Sequence, residues 1–447
     1  MPAPVPRSLH GVTQKIRLGV LGCGNVGAAF VRLVEQQAAA IEARTGVRLE
    51  VGSVAVRNLS AQRDVELADG VLTRDAHGVV ADPSIDLVVE VIGGIEPARE
   101  LITTALQNGK PVVTANKELL ANVGTELFAT ADGVGRDLLF EAAVAGGIPV
   151  IRALRESLRG EPIKRVMGII NGTTNFILSE MRDKGLPFAE VLKEAQALGY
   201  TEADPTFDVE GVDAAHKATI MSAIAFGIPM QFDKAYIEGI SKLDSVDIGY
   251  AEQLGYRIKL LGIARRRENG VELRVHPTLI PEKRLIANVE GAMNAVLVQG
   301  DAVGATLYYG KGAGAEPTAS AVIADLVDVT RLHTSDPEHR VPHLAFQPDQ
   351  VHDVPVLPIE EVVTSYYLRM RVEDKPGVLA DITRILADSS ISIEALIQKE
   401  AAEGEAHTDI IMLTHQTAEK NANAAIARIE ALPVVQGKVV KLRMETL

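Results

Sequence analysis

Tryptophan is absent from this chain of 447 residues, aromatic residues make up only 4%, and there is a single cysteine, Cys23. With so few rings, stacking platforms for single-stranded nucleic acid or carbohydrate are not expected. One thiol cannot close an intrachain disulfide, which points to a reducing compartment. No apolar run approaches the roughly 18 residues that a membrane span requires. The opening residues MPAPVPRSLHG lack the basic-then-apolar pattern of a secretion signal. A cytoplasmic protein with no membrane partner is therefore expected. Positive charge is also short: 45 Lys and Arg against 59 Asp and Glu leave −14, which argues against nucleic-acid partners. The histidines are scattered, so no metal-site spacing appears, and no GxSxG elbow is present.

Hydrophobic residues at 47% and charged residues at 23% are ordinary for a globular enzyme. A prior of about 150 residues per domain suggests roughly three folding units. The first is read over 1–140. The apolar run IRLGVL (16–21) enters Gly22-Cys23-Gly24-Asn25-Val26-Gly27, and an Ala-rich helical stretch follows to about residue 44. Strand, GxGxxG and helix in that order are the context that makes the motif informative. The first glycine permits the tight turn, the second admits a pyrophosphate, and the third lets helix and strand pack closely. The helix N-terminus then supplies free N–H groups and partial positive charge. Cys23 lies within this loop, where thiol modification would block a cofactor. Further strands fit 47–57 and 86–92, a helix fits 96–109, and PVVTANK reads as another strand and its exit. This alternation predicts a Rossmann-like, doubly wound parallel sheet. The second strand ends in Arg57 where an acidic residue would signal NAD, so NADP(H) is the expected preference, with NAD(H) as the alternative. Arg57 as a solvated surface charge is the plainer reading. Thr114 and Lys117 follow a strand end, where ligands bind in open α/β sheets. Lys117 there can reach a cofactor phosphate or a substrate carboxylate, or simply face solvent.

The second unit is read over 141–332, an α+β catalytic and oligomerisation domain, with a return of the chain to the first unit near 310–332 as the alternative. Its acidic, turn-rich loop holds Glu202, Asp204 and Asp208 and leads into a helix over 212–226. Asp213 and Lys217, four apart, are neighbours on one face of that helix. An exposed pair of this kind is commonplace. A lysine held among carboxylates and partly desolvated, however, can pass a proton to a carbonyl or alcohol oxygen. The carboxylates can also grip a substrate ammonium. His216, on another side of the helix, reads as a packed or surface residue. Asn171-Gly172-Thr173-Thr174-Asn175 suits an N-cap or contact with a bound cofactor through Gly172, and both readings stay open. The run 310–317, with Gly312 and Glu316, suits cofactor contact or a flexible connection equally. The apolar face at 318–331 is a candidate for subunit contact. A linker over 333–364 precedes a βαββαβ, ferredoxin-like module over 365–447, a topology that by itself assigns no role.

Taken together, GCGNVG (22–27), TANKELLA (114–121), EAAVAGGIPV (141–150), NGTTNFIL (171–178), GYTEADPTFDVEGVDAAHK (199–217) and VEDKPGVLADI (372–382) resemble the homoserine dehydrogenases that end in an ACT regulatory domain. They occur in the family's order along nearly the whole chain. The resemblance implies NAD(P)H-dependent, reversible reduction of L-aspartate 4-semialdehyde to L-homoserine, on the route to threonine, isoleucine and methionine. It implies Lys217 as the proton donor, Lys117 as a second cation, and Glu202, Asp208 and Asp213 as substrate ligands that position Lys217. It further implies a sodium ion held by Glu141 and the carbonyls of Val144, Gly146 and Ile148. The turn Asp374-Lys375-Pro376-Gly377 would belong to an ACT effector site, with threonine as the effector. A homodimer or homotetramer is the implied assembly.

Overall fold

In the computed structural model, residues 14–201, 204–332, 341–399 and 405–445 are described. Two compact units emerge: Met1–Pro149 with Ala313–His343, and Val150–Gly312 with Leu344–Leu447.

In the first unit, β1 (Gln14–Leu21), β2 (Val47–Ala55), β3 (Leu72–Thr73), β4 (Leu87–Glu90), β5 (Val112–Thr114) and β6 (Leu138–Leu139) form a sheet. Its order is β3-β2-β1-β4-β5-β6, and every pairing is parallel. Strands covered on both faces carry continuous apolar runs rather than alternation. Accordingly β4 (LVVE) and β5 (VVT) are buried at every position. The order reverses between β1 and β4, which places the ligand crevice at the carboxyl ends of those strands. Helix Asn25–Gln36 leaves β1 through the glycine loop and buries Phe30, Val31 and Val34. Helix Ala315–Leu332 adds Ala319, Val322, Leu326 and Val329 to the same core. Its apolar stripe is therefore used inside the first unit, which corrects its reading as a subunit contact. Apolar periodicity shows that a face is buried, not what buries it.

The second unit is built on one large mixed sheet. Its first strands are β7 (Ile163–Ile169), β8 (Tyr236–Ile237), β9 (Tyr256–Arg267), β10 (Gly270–Pro281), β11 (Met293–Gly300) and β12 (Ala305–Lys311). The last are β13 (Val363–Glu373), β14 (Ile393–Gln398), β15 (His407–Thr414), β16 (Thr417–Ala418) and β17 (Val435–Met444). The main path runs β12-β11-β7-β9-β10-β17-β13-β15-β14, with β8 beside β10 and β16 beside β13. The C-terminal strands and helices Val378–Asp388 and Glu419–Glu430 make the expected βαββαβ module. Its own core includes Leu368, Met370, Ile382, Leu386, Met412 and Ile429.

The module is not a bead on a linker. β17 pairs in parallel with β10 through Thr278↔Arg443 and Leu279↔Met444, and the N–H of Glu445 donates to Leu279 O at 3.0 Å. Buried charges reinforce the joint. Arg274 donates to Glu445 at 2.5 Å and to Glu272 at 3.0 Å, and all three side chains are almost fully enclosed. Arg265 also binds Glu445, and Arg267 holds Glu272 at 2.6 Å.

Candidate active site

The first unit supplies a dinucleotide cradle. At φ +101° Gly22 occupies the left-handed region, and a Cβ there would lie 2.8 Å from Val91 O. A Cβ on Gly27 would lie 2.4 Å from Gly22 O, so close packing of helix on loop requires its absence. Around Gly24, by contrast, a Cβ would meet nothing within 4 Å. Asn25 and Val26 then open a helix with no acidic residue in its first turn and no side-chain cap. Its first N–H groups are thus left for an anion. Cys23 is buried, and burial pushes its thiol pKa up, with the nearby Arg63 charge opposing the rise. Burial thus favours the protonated form of this thiol.

Arg57 lies exposed at the end of β2, in the loop the sequence singled out. Arg63, which sequence reading passed over, organises that loop by donating to the carbonyls of Asn58, Leu59 and Ala61. Glu316 is exposed and pairs with Arg32 at 3.2 Å.

At the crevice ends of β4 and β5, a buried polar cluster was also missed. Glu90 accepts from Ile92 N at 2.7 Å, Gly93 N at 3.2 Å and Thr114 Oγ1 at 2.6 Å. Burial nonetheless holds its carboxyl above the ordinary range. Asn116 caps the next helix through Leu119 N and donates to Gly94 O, so Lys117 begins helix Lys117–Gly133, half-buried. An acidic residue inside an apolar run (DLVVEVI) was the available signal for Glu90. Glu141 is buried as well, and its N–H donates to Asp325 at 2.7 Å. The segment after it turns through positive φ at Ala145 and Gly146, between Val144 and Ile148.

The second unit supplies a buried lysine–carboxylate cluster. Helix Val212–Phe226 is buried at every position from Asp213 to Phe226, so a lysine on it is held away from water. Lys217 Nζ donates to Asp213 Oδ2 and to Ile170 O, each at 2.7 Å, and both side chains are under 9% exposed. Asn171 acts twice. Its Oδ1 caps helix Gly172–Lys184 through Thr174 N at 2.8 Å, while its Nδ2 donates to Asp208 at 2.7 Å and Asp213 at 2.9 Å. Thr173 Oγ1 donates to Tyr200 O at 2.7 Å, tying down the loop that brings Asp208. Asn171 thereby bridges Asp208 to the Asp213–Lys217 pair. Glu202 lies outside the described residues.

Two predicted cofactor contacts have packing reasons for being glycine. A Cβ on Gly172 would lie 2.7 Å from Ala292 O, and one on Gly312 would lie 1.9 Å from Asn294 Nδ2. His216 is packed between Phe207 and Phe232, at ring separations of 5.5 and 4.3 Å. In the C-terminal module, Asp374, Lys375, Pro376 and Gly377 form an exposed strand–helix turn, with Lys375 pairing Glu373 at 2.6 Å.

Three family models match the chain. Residues 22–141 match the NAD-binding domain of homoserine dehydrogenase, 149–327 match homoserine dehydrogenase, and 366–434 match the ACT domain. The homoserine dehydrogenase of Pseudomonas aeruginosa is 58% identical over 97% of this chain and 100% of its own length. That of Neisseria gonorrhoeae is 54% identical over 97% and 99%. Among solved structures, the Thiobacillus denitrificans enzyme is 66% identical, with a TM-score of 0.92 over 97% of this chain and 99% of that one. A hyperthermophilic archaeal homoserine dehydrogenase solved with NADPH is 28% identical, with a TM-score of 0.61 over 71% and 98%. The chain therefore belongs to the homoserine dehydrogenases, NAD(P)-dependent oxidoreductases.

Proposed function

We propose that this chain reduces L-aspartate 4-semialdehyde to L-homoserine with NADPH as preferred cofactor and NADH as alternative. The reaction is reversible and feeds threonine, isoleucine and methionine formation in the cytoplasm. The observation that carries the reading is the buried cluster of Lys217, Asp213, Asn171 and Asp208.

When bound, the nicotinamide supplies the hydride that reduces the aldehyde carbon. Lys217 Nζ, held by Asp213 and Ile170 O, gives its proton to the alkoxide oxygen, so that C–H and O–H bonds replace the C=O π bond. Asp213 keeps the lysine oriented, and desolvation of the pair favours transfer to a neighbouring oxyanion. Asp208, Asp213 and Glu202 are assigned to the substrate ammonium. Lys117 is the second cation, stabilising charge that develops on oxygen. Gly22, Gly24, Asn25, Val26 and Gly27 hold the pyrophosphate, with Thr114 beside it, and Arg57 takes the 2′-phosphate. Gly172, Gly312 and Glu316 remain assigned to the cofactor's surroundings, although packing and an ion pair already explain them.

Glu141 and the carbonyls of Val144, Gly146 and Ile148 are assigned to a sodium ion. The donor set fits, because one buried carboxylate with main-chain carbonyls is the all-oxygen chemistry of a hard cation. Its role would be to brace the turn after β6. The turn at Asp374–Gly377 is assigned to threonine feedback, in a homodimer or homotetramer.

The test is a steady-state assay of aspartate semialdehyde reduction with NADPH and NADH in parallel, with and without millimolar threonine. Lys217→Ala is expected to lose orders of magnitude in turnover while still binding NADPH. Equal turnover in variant and wild type would overturn the mechanism, whereas no turnover in the wild type itself would favour a ligand-binding regulator on the same fold. Absence of threonine inhibition would remove the feedback assignment alone.

A further inference from the structure

At the seam between β7, β9 and the C-terminal strand β13 lies a cavity of about 460 Å³, away from the lysine–carboxylate cluster. Lys164, Arg165, Arg265, Arg266 and Arg267 line it, with Glu445 as the one carboxylate. Five cations at one cavity stand out in a chain of net charge −14. Moreover, Arg165 and Arg265 are direct register partners on adjacent strands. Like charges placed directly opposite across a sheet destabilise it.

Ion pairs absorb only part of this charge. Lys164 reaches Asp301 at 2.5 Å, Arg265 binds Glu445, and Arg267 holds Glu272 at 2.6 Å. Arg165 and Arg266 have no salt bridge among the described residues, and Arg165 Nε is buried without a hydrogen-bond partner. A buried charged donor left unmatched is costly. Burial and then the Arg265 charge also work against the Arg165 cation, with Glu445 opposing them. Gln299, the register partner of Arg165 on β11, and Ser365 add uncharged polar groups to the lining.

We propose that this cavity is a binding site for a small polyanion, a metabolite carrying two or more carboxylate or phosphate groups. One such molecule gives Arg165 a partner and relieves the Arg165–Arg265 repulsion, with Arg266 at the cavity's exposed rim. A free amino acid fits poorly, since its ammonium would face five cations. The site is therefore chemically distinct from the turn assigned to threonine.

Calorimetric titration of the full chain with citrate and, separately, with inorganic pyrophosphate tests this, at constant ionic strength set with sodium chloride. Saturable binding of at least one anion is expected, and the arm that binds identifies carboxylate or phosphate as the preferred group. Arg165→Gln should weaken that binding at least about tenfold, the loss of one charge-assisted hydrogen bond. Arg266→Gln, at an exposed position, provides a second variant should the first fail to fold. No saturable binding of either anion, or undiminished binding in the folded variants, overturns the proposal.

Discussion

The Asn171 amide is used at both ends, with its oxygen on a helix N-terminus and its nitrogen between Asp208 and Asp213. Without that donor, the carboxylates of Asp208 and Asp213 lose the hydrogen bonds that bridge them. Asn171→Ala is expected to cost about 1 kcal/mol of stability through the lost cap. It should lower kcat well beyond that while leaving the KM for NADPH unchanged, which steady-state kinetics and a melting curve separate. Glu90 offers a pH-dependent test. Its carboxyl is held above its ordinary value of 4.5 by burial, so the folded chain binds that proton more tightly than the unfolded chain. Its contribution to stability is full below 4.5 and is lost as pH rises through the elevated value. Glu90→Gln removes this loss. The variant should therefore gain in thermal midpoint relative to wild type as pH rises above 4.5. A difference independent of pH would overturn the assignment.

At the scale of elements, the β1–loop–helix unit separates folding from binding. Gly27 faces the loop's own backbone at 2.4 Å, whereas Gly24 faces open space. Gly27→Ala must displace main chain and is expected to cost at least about 1–3 kcal/mol. Gly24→Ala should melt like wild type yet bind NADPH far more weakly, because its methyl occupies the approach to the pyrophosphate. Equilibrium binding alongside thermal melts checks both, and normal affinity in Gly24→Ala would argue against the cradle. This unit was legible in sequence because its spacing is local. Glu90 was not, because Thr114 reaches it only through the pairing of β4 with β5, and Arg63 was not, because its partners are loop carbonyls, which leave no side-chain signature.

For the whole molecule, the joint at β10 and β17 makes the C-terminal module part of the catalytic sheet. Glu445 lies three-dimensionally between Arg265 and Arg274 although it stands near the end of the chain. Removing one partner of a buried ion pair leaves the other uncompensated, at about 3–5 kcal/mol. Glu445→Ala is accordingly expected to lower the denaturant midpoint strongly, and a loss below about 1 kcal/mol would show that the network is dispensable.

Periodicity, glycine spacing and the four-residue step from Asp213 to Lys217 are properties of short stretches. They were enough for the parallel sheet, the glycine loop, the Asp213–Lys217 pair on its helix and the βαββαβ module, since local backbone geometry dictates which side chains share a face. Which surface covers the stripe of helix Ala315–Leu332, why Gly312 must lack a side chain, and where five cations converge were decided only on folding. Each depends on partners tens or hundreds of residues away, and chain reversal, not local pattern, sets those distances.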